Sequence, residues 1–194
     1  MLQCNWAHSL GAMALDHALL VALRERPGSG YELARRFDRS IGFFWTATHQ
    51  QIYRVLRRMQ ELGWVRAEVV PQDARPDKKV YEVTPAGAAE LQRWIAEPVE
   101  PEPVRLALGV KVRAAAFGNA KALREEVARQ RDRHAQRLDL FQQIEKRDFP
   151  DPRRLGPQAS AQYLVLRGGI MVEKGWVDWC EEAIGVLREM EAGQ

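Results

Sequence analysis

One segment of this chain, residues 48–79, carries side chains that are typical of DNA-binding proteins. Amide and guanidinium groups recur there at helical spacing: Gln50, Gln51, Arg54, Arg57 and Arg58. Such groups form hydrogen bonds with base edges and phosphates in a duplex groove. The chemistry that the segment predicts is therefore nucleic-acid binding.

The helix that would position these side chains has sequence signals at both ends. Thr48 with Gln51 is a capping box, which begins a helix, and Gly63 ends it. Apolar side chains recur on the opposite face of the helix and are expected in a core: Ile52, Val55, Leu56, Met59 and Leu62. Residues 64–70 and 79–83 then have strand composition, and a polar, basic, proline-containing loop separates them. This order of elements predicts a winged helix with a basic wing.

Three more helices are predicted in the N-terminal half. The first covers residues 14–26. Ser29 with Glu32 forms a second capping box and begins a short helix. Its inward-facing apolar side chains are Leu33, Ala34 and Phe37. Residues 42–47 connect it to the Thr48 helix, and residues 84–95 form a further helix with proline at its first position.

The second half of the chain has a helical pattern. Helices are predicted over residues 104–117, 119–148 and 159–192, and the two long ones carry apolar stripes at near-heptad spacing. Two helices cannot bury stripes of this width against each other alone, so the pattern favours dimerisation.

These elements divide the chain into four parts. We expect an N-terminal extension at residues 1–12 that need not be ordered, a winged helix-turn-helix domain at 13–97, a linker at 98–103 and a helical domain at 104–194. The predicted fold class is mainly α, with an N-terminal winged helix-turn-helix domain and a C-terminal α-helical dimerisation domain.

Composition narrows the class of protein. The chain has 194 residues, 46% of them hydrophobic, and a net charge of +3 whose excess lies in the first half. No run of about 20 apolar residues is present, which argues against a membrane span, and no secretion signal precedes the domain. Cys4 and Cys180 give no metal-ligand spacing, and no nucleophile, cofactor motif or phosphate loop is evident. We expect a cytoplasmic protein that is not an enzyme and needs no cofactor.

The order of motifs in the first half resembles the PadR family of bacterial transcriptional regulators. The resemblance covers residues 13–98 and rests on Gly-Tyr-Glu-Leu at 30–33, Gln-Ile-Tyr-Arg at 51–54, Gly63 and the Arg-Pro-Asp-Lys-Lys wing at 75–79. It implies a homodimer that binds a pseudo-palindromic double-stranded DNA operator, represses a gene, and is released by a small aromatic or phenolic effector. Two recognition helices would enter successive major grooves about 34 Å apart, and the C-terminal half would set that spacing.

The candidate DNA contacts lie on the two capped helices and on the wing. They are Ser29, Tyr31, Thr48, His49, Gln50, Gln51, Tyr53, Arg54, Arg75, Lys78 and Lys79. Three of them have a structural alternative. Helix capping alone would explain Ser29 and Gln51, and Tyr53 could instead pack on the connecting segment.

The candidate effector contacts are aromatic side chains expected at the junction of the two domains, with two polar groups to hold a carboxylate or phenolate. They are Trp94, Tyr163, Trp176 and Trp179, with His134 and Arg167. The alternative is that the tryptophans are plain core and that His134 is a hydrogen-bonded interface residue.

A different class of function also fits the pattern. A helical dimeric adaptor would use its winged helix to bind protein rather than DNA. Such an adaptor would show no salt-dependent DNA affinity, whereas a DNA-binding protein loses about one unit of log-log salt slope for each phosphate contact removed.

Overall fold

The computed structural model describes residues 6–39, 47–71, 77–99 and 106–192, with the backbone alone for 6–14 and 37–39. The elements, in chain order, are α1 (Trp6–Glu25), β1 (Gly28–Ser29), α2 (Gly30–Arg39), α3 (His49–Glu61), β2 (Val65–Val70), β3 (Lys78–Val83), α4 (Pro85–Ile95), α5 (Ala107–Arg113), α6 (Ala120–Asp148) and α7 (Pro157–Ala192). The chain divides into two compact units, Met1–Pro101 and Glu102–Gln194. The fold is mainly α with one small sheet, as predicted.

The first unit packs its helices on an antiparallel sheet with strand order β1-β3-β2. Ser29 pairs with Val80, and Val70 pairs with Lys78 next to the wing loop. The core draws on every helix of the unit and on β2 and β3. Its fully buried apolar side chains include Leu19, Leu20, Leu23, Leu33, Ala34, Ile52, Leu56 and Met59. The wing and the first turns of α2 and α3 are therefore supported by one continuous core.

Helix α1 begins at Trp6 rather than at residue 14. Residues 6–13 contain two alanines and no proline, and Gly11 costs only about 1 kcal/mol relative to alanine, so the backbone permits the helix although the apolar period is weak there. Residues 6–12, expected in an extension, thus continue α1. Strand β1 was not predicted, because two residues carry no period-2 pattern.

The remaining differences from prediction in this unit lie at element ends. Leu62 was expected in the core but is 51% exposed, because it is the C-cap of α3 and lies beyond the last buried turn. Gly63 follows with φ +70°, the left-handed conformation that ends the helix. The Phe37 side chain and most of the 42–47 connector lie outside the described residues.

Gly87 permits a close approach between α4 and the segment before β2. An added Cβ would lie 2.1 Å from the backbone oxygen of Trp64. Thr84, the N-cap of α4, donates to the same oxygen through its backbone amide at 3.0 Å, and its hydroxyl donates to the backbone oxygen of Gly63 at 2.6 Å. The N-terminus of α4 is thereby fixed against the start of the wing.

The second unit is built on α6 and α7. Arg124 contacts Glu191 and Glu145 contacts Arg167, so the two helices run antiparallel. Its main cluster consists of Ala115, Ala120, Val127, Cys180, Ala183, Ile184 and Leu187. The helix predicted over 104–117 is shorter: α5 ends at Arg113, and a 3₁₀ turn covers Ala115–Phe117.

Within the described residues, no helix is long and apolar enough to cross a membrane.

Candidate nucleic-acid interface

Helix α3 starts with the predicted capping box. The backbone amide of Gln51 donates to Thr48 Oγ1 at 3.2 Å, and the backbone amide of Thr48 donates to Gln51 Oε1 at 2.8 Å. Two of the unsatisfied N–H groups of a helix start are thus bonded within the protein. The positive end of the helix dipole remains at this turn, where it favours a phosphate.

One face of α3 presents an exposed row of polar side chains. Gln50, Tyr53, Arg54 and Arg57 recur every three or four residues, and all are exposed. Arg54 makes no hydrogen bond or ion pair with another residue that the structure describes. His49 is exposed at the first position of the same helix. This row has the reach and the donors required for a DNA groove.

Arg58 does not belong to that row, contrary to the sequence prediction. Its Nη2 contacts both carboxylate oxygens of Asp16 on α1. The Asp16 side chain is 5% exposed and that of Arg58 is 43% exposed. Burial raises the pKa of Asp16, and the hydrogen bond and charge of Arg58 partly oppose that rise. The pair fixes α3 to α1.

Tyr53 lies over Gly30 at the start of α2. A Cβ built on Gly30 would be 2.3 Å from Tyr53 Cε1, so only glycine allows the ring to take this position. Tyr53 nevertheless remains 47% exposed. The ring therefore bridges the first turn of α2 and the exposed face of α3.

The start of α2 has its own capping box. The Glu32 amide donates to Ser29 Oγ at 3.3 Å, and the Ser29 amide donates to Glu32 Oε2 at 2.9 Å. Ser29 is buried, so capping accounts for its hydroxyl. Tyr31 is 56% exposed, and the Arg35 guanidinium lies 5.9 Å from the centre of its ring. Arg35 was missed by sequence reasoning, although its position one helical turn after Tyr31 was a usable signal.

The two described lysines of the wing face opposite sides of β3. Lys78 Nζ donates to Glu32 Oε1 at 2.7 Å. Lys79 Nζ donates to Gln60 Oε1 at 3.0 Å and lies 5.4 Å from the ring centre of Tyr81. Both predicted contacts thus already have partners inside the protein. Arg75 lies outside the described residues.

An open cleft of about 360 Å³ lies beside the start of α2 and the base of the wing. Its charged lining is mostly basic: Arg26, Arg35, Arg36 and Lys78, with Glu32. Arg36 also donates to the backbone oxygen of Arg26 at 2.6 Å, after the end of α1. The cleft concentrates positive charge next to the exposed face of α2, where a phosphate is favoured.

The predicted effector residues fall into separate groups. Trp94 belongs to the first unit, where it packs on the core and stacks on His17. In the second unit, His134 stacks on Trp176 with ring centres 5.1 Å apart, and Trp179 meets Trp176 edge-on at 5.6 Å. Tyr163 Oη and Arg167 Nη1 both donate to Glu145 Oε1 at 3.1 Å.

The polar effector candidates are already bonded to carboxylates. His134 Nδ1 lies 2.6 Å from Glu173 Oε2, and Arg137 Nη1 donates to Glu173 Oε1 at 3.0 Å. Glu173 is 6% exposed. An anionic ligand would therefore compete with Glu173 for His134 and with Glu145 for Arg167, which the sequence could not show. Among the described residues, no group of three or more His, Cys, Asp or Glu is placed to hold a metal ion.

Comparisons with known proteins match both halves of the chain. The profile of the transcriptional regulator PadR-like family matches residues 19–93, and the profile named virulence activator alpha C-term matches residues 104–188. A probable transcriptional regulator of Mycobacterium tuberculosis, Rv1176c, is 52% identical, covering 91% of this chain and 99% of its own. The negative transcriptional regulator PadR of Bacillus subtilis is 27% identical over 89% of this chain and 97% of its own.

Solved structures also match across both units. The Vibrio cholerae virulence activator AphA has a TM-score of 0.75 and 31% identity, and it covers 91% of this chain and 99% of its own. Bacillus subtilis PadR in complex with operator DNA has a TM-score of 0.78 and 26% identity, and it covers 90% of this chain and 99% of its own. The same protein in complex with p-coumaric acid has a TM-score of 0.74.

Proposed function

Because the chain belongs to the PadR-like family of transcriptional regulators, we propose that the exposed row of α3, the start of α2 and the wing form its DNA-binding surface. The relatives that establish the family are regulators and not enzymes. The observation that carries the proposal is the exposed row on α3, since Gln50, Arg54 and Arg57 point away from a core that buries the opposite face.

The roles of the candidate residues follow from their surroundings. Gln50 and Arg54 would contact base edges in the major groove, because their side chains are exposed near the helix start. Tyr31 and Arg35 would contact a phosphate beside the basic cleft. Thr48, Gln51 and Ser29 would act mainly by fixing the starts of the two helices, since their side chains and backbone N–H groups are bonded within the capping boxes.

We propose that the protein acts as a homodimer held by its second unit. Helix α7 buries one face against α6, yet its opposite face is apolar and exposed in the single chain: Leu164 70%, Val165 54%, Met171 68% and Val172 59%. Gly168 and Gly175 lie on the same face and have open space above them. A second copy of α7 would cover this surface, and a two-fold axis would match a pseudo-palindromic operator.

Repression and release by an effector are the remaining part of the proposal. The Bacillus subtilis relative is named a negative regulator and is solved with p-coumaric acid, which supports a phenolic ligand. Trp176 and Trp179 offer aromatic faces for such a ligand, and Tyr163, Trp94, His134 and Arg167 stay candidates. Titration with p-coumaric acid should quench tryptophan fluorescence and weaken operator binding together; quenching without weaker binding would contradict an effector role.

The DNA-binding proposal is tested by fluorescence anisotropy against the protein's own promoter fragment and a scrambled duplex at several salt concentrations. We expect tighter, salt-dependent binding to the promoter. Equal weak binding to both duplexes would contradict a specific operator there. Absence of binding at low salt would instead favour an adaptor that binds protein. The operator complex of Bacillus subtilis PadR argues against that alternative.

A further inference from the structure

Glu32 is the acidic residue that lines the basic cleft, and it holds the first residue of β3. Its Oε1 accepts a hydrogen bond from Lys78 Nζ at 2.7 Å. Its Oε2 accepts from the Ser29 amide at 2.9 Å and from Ser29 Oγ at 3.2 Å. Both carboxylate oxygens are therefore fixed, one by the wing and one by the cap of α2.

The backbone around this pair is also fixed. Ser29 of β1 pairs with Val80 of β3, two residues beyond Lys78. The hydrogen bond from Lys78 and those from Ser29 lower the pKa of Glu32 to about 2, so the carboxylate is ionised at neutral pH. A charged, doubly bonded acceptor favours one position of the long Lys78 side chain over the others, with the modest strength of an exposed ion pair.

A restricted lysine and a flexible lysine affect DNA binding differently. A flexible ammonium group follows the phosphates of any duplex and adds affinity regardless of sequence. An ammonium group held in one place meets a phosphate only when the protein is docked in one register, and a neighbouring carboxylate repels phosphates in other registers. The ion pair would thus lower non-specific affinity more than operator affinity.

Resting on the DNA-binding function proposed above, we propose that Glu32 is a specificity-determining residue. It holds Lys78 at the base of the wing in the position that the operator complex uses, and it reduces binding to unrelated DNA.

The test compares promoter and scrambled duplexes by fluorescence anisotropy across a salt series. Glu32→Gln removes the charge but keeps the cap, since α3 of the same chain has glutamine at the equivalent position of its capping box. Glu82→Gln is the matched control: Glu82 lies on β3 and is 49% exposed, against 46% for Glu32, but it pairs with Arg66. The double variant Glu32→Gln/Lys78→Gln restores the net charge without restoring the ion pair.

We expect E32Q to raise affinity for the scrambled duplex by up to about fivefold, which corresponds to the interaction free energy of an exposed ion pair. The log-log dependence of that affinity on salt should become steeper by about one unit. Operator affinity should stay level or fall, so that the ratio of the two affinities decreases. E82Q should leave the ratio unchanged, and the double variant should keep the decreased ratio.

Two results would overturn the inference alone. In the first, the wild-type and E32Q proteins both prefer the promoter to the scrambled duplex, and to the same degree. In the second, the double variant regains the wild-type ratio of promoter to scrambled affinity, since net charge would then explain the effect. A wild-type protein that binds both duplexes equally would overturn the proposed function and this inference with it. Circular dichroism and thermal melting establish that each variant is folded before its titration.

Discussion

The imidazole of His17 lies parallel to the indole of Trp94, with ring centres 4.5 Å apart and 7° between the planes. His17 is 1% exposed, and its Nε2 donates to Glu90 Oε1 at 3.0 Å. Arg93 donates to both oxygens of the same carboxylate, at 2.7 and 2.8 Å. Helices α1 and α4 are therefore joined by an aromatic stack of the buried His17 on the half-buried Trp94, and His17 in turn bonds the ionised Glu90.

Acid should weaken the first unit through Glu90. The hydrogen bond from Arg93, and after it that from His17, lowers the pKa of Glu90 from 4.5 to about 2. A folded-state pKa below the unfolded value gives stability that is present above pH 4.5 and is lost as the pH falls toward 2. We expect Glu90→Gln to lower the free energy of unfolding by about 1–2 kcal/mol at pH 7 and to reduce its loss between pH 4.5 and pH 2. Urea unfolding across this pH range measures the stability at each pH, with Glu61→Gln on the surface of α3 as the control.

Arg58 and Asp16 should respond unequally to substitution. Arg58→Ala leaves the buried Asp16 carboxylate without this partner and should cost about 3 kcal/mol. Asp16→Asn should cost less, because the Arg58 side chain is already 43% exposed and can be hydrated. The cost of Arg58→Ala should shrink at low pH, where Asp16 is protonated. Chemical unfolding of both variants gives the comparison, and equal costs would contradict this account.

Arg54 should contribute to operator affinity without contributing to stability. Arg54→Ala should weaken promoter binding by about 1–3 kcal/mol if the guanidinium meets a base edge, or reduce the salt slope by about one unit if it meets a phosphate. Arg129→Ala removes the same charge from α6 and is the control. An unchanged affinity for R54A would remove Arg54 from the interface.

Gly87 and Gly30 should differ sharply when each is changed to alanine. The Gly87 Cα faces a backbone oxygen that cannot move without shifting the wing, so Gly87→Ala should cost about 2–3 kcal/mol. Gly30→Ala meets the Tyr53 ring, which can rotate into solvent, and should cost little stability. Thermal melting separates the two. Displacement of Tyr53 in G30A should instead appear as weaker DNA binding.

The exposed face of α7 should control oligomeric state. Met171→Glu places a charge in the proposed interface and should weaken the dimer by about 3 kcal/mol or more. Gln158→Glu adds the same charge at an exposed position of the first turn and should leave the dimer intact. Light scattering coupled to size-exclusion chromatography distinguishes these results. A dimeric M171E protein would place the interface elsewhere.

Local features of the first unit were predictable from sequence because they depend on residues a few positions apart. Both capping boxes, Thr48 with Gln51 and Ser29 with Glu32, are present as expected. The buried face of α3 was also predicted, with Leu62 wrong because the periodic pattern continues past the last turn that packs. The helix boundaries of α6 and α7 depend on the same local rules.

Contacts between distant residues were not predictable in this way. Arg58 was assigned to the exposed row because helical spacing places it near that face, yet its partner Asp16 is 42 positions away. Lys78 was assigned to DNA alone, and its partner Glu32 is 46 positions away. His134 and Arg167 have the chemistry of anion binding, but the glutamates that bond them lie on the other helix of the pair.

The capping box of α3 has a consequence for the kinetics of binding. Since Thr48 and Gln51 close the start of this helix within the protein itself, DNA is not needed to form it. Association should therefore be limited by diffusion and electrostatic steering, not by a folding step, with an encounter rate that varies with ionic strength. Sequence discrimination should then appear in the dissociation rate, as long residence on the operator and short residence elsewhere.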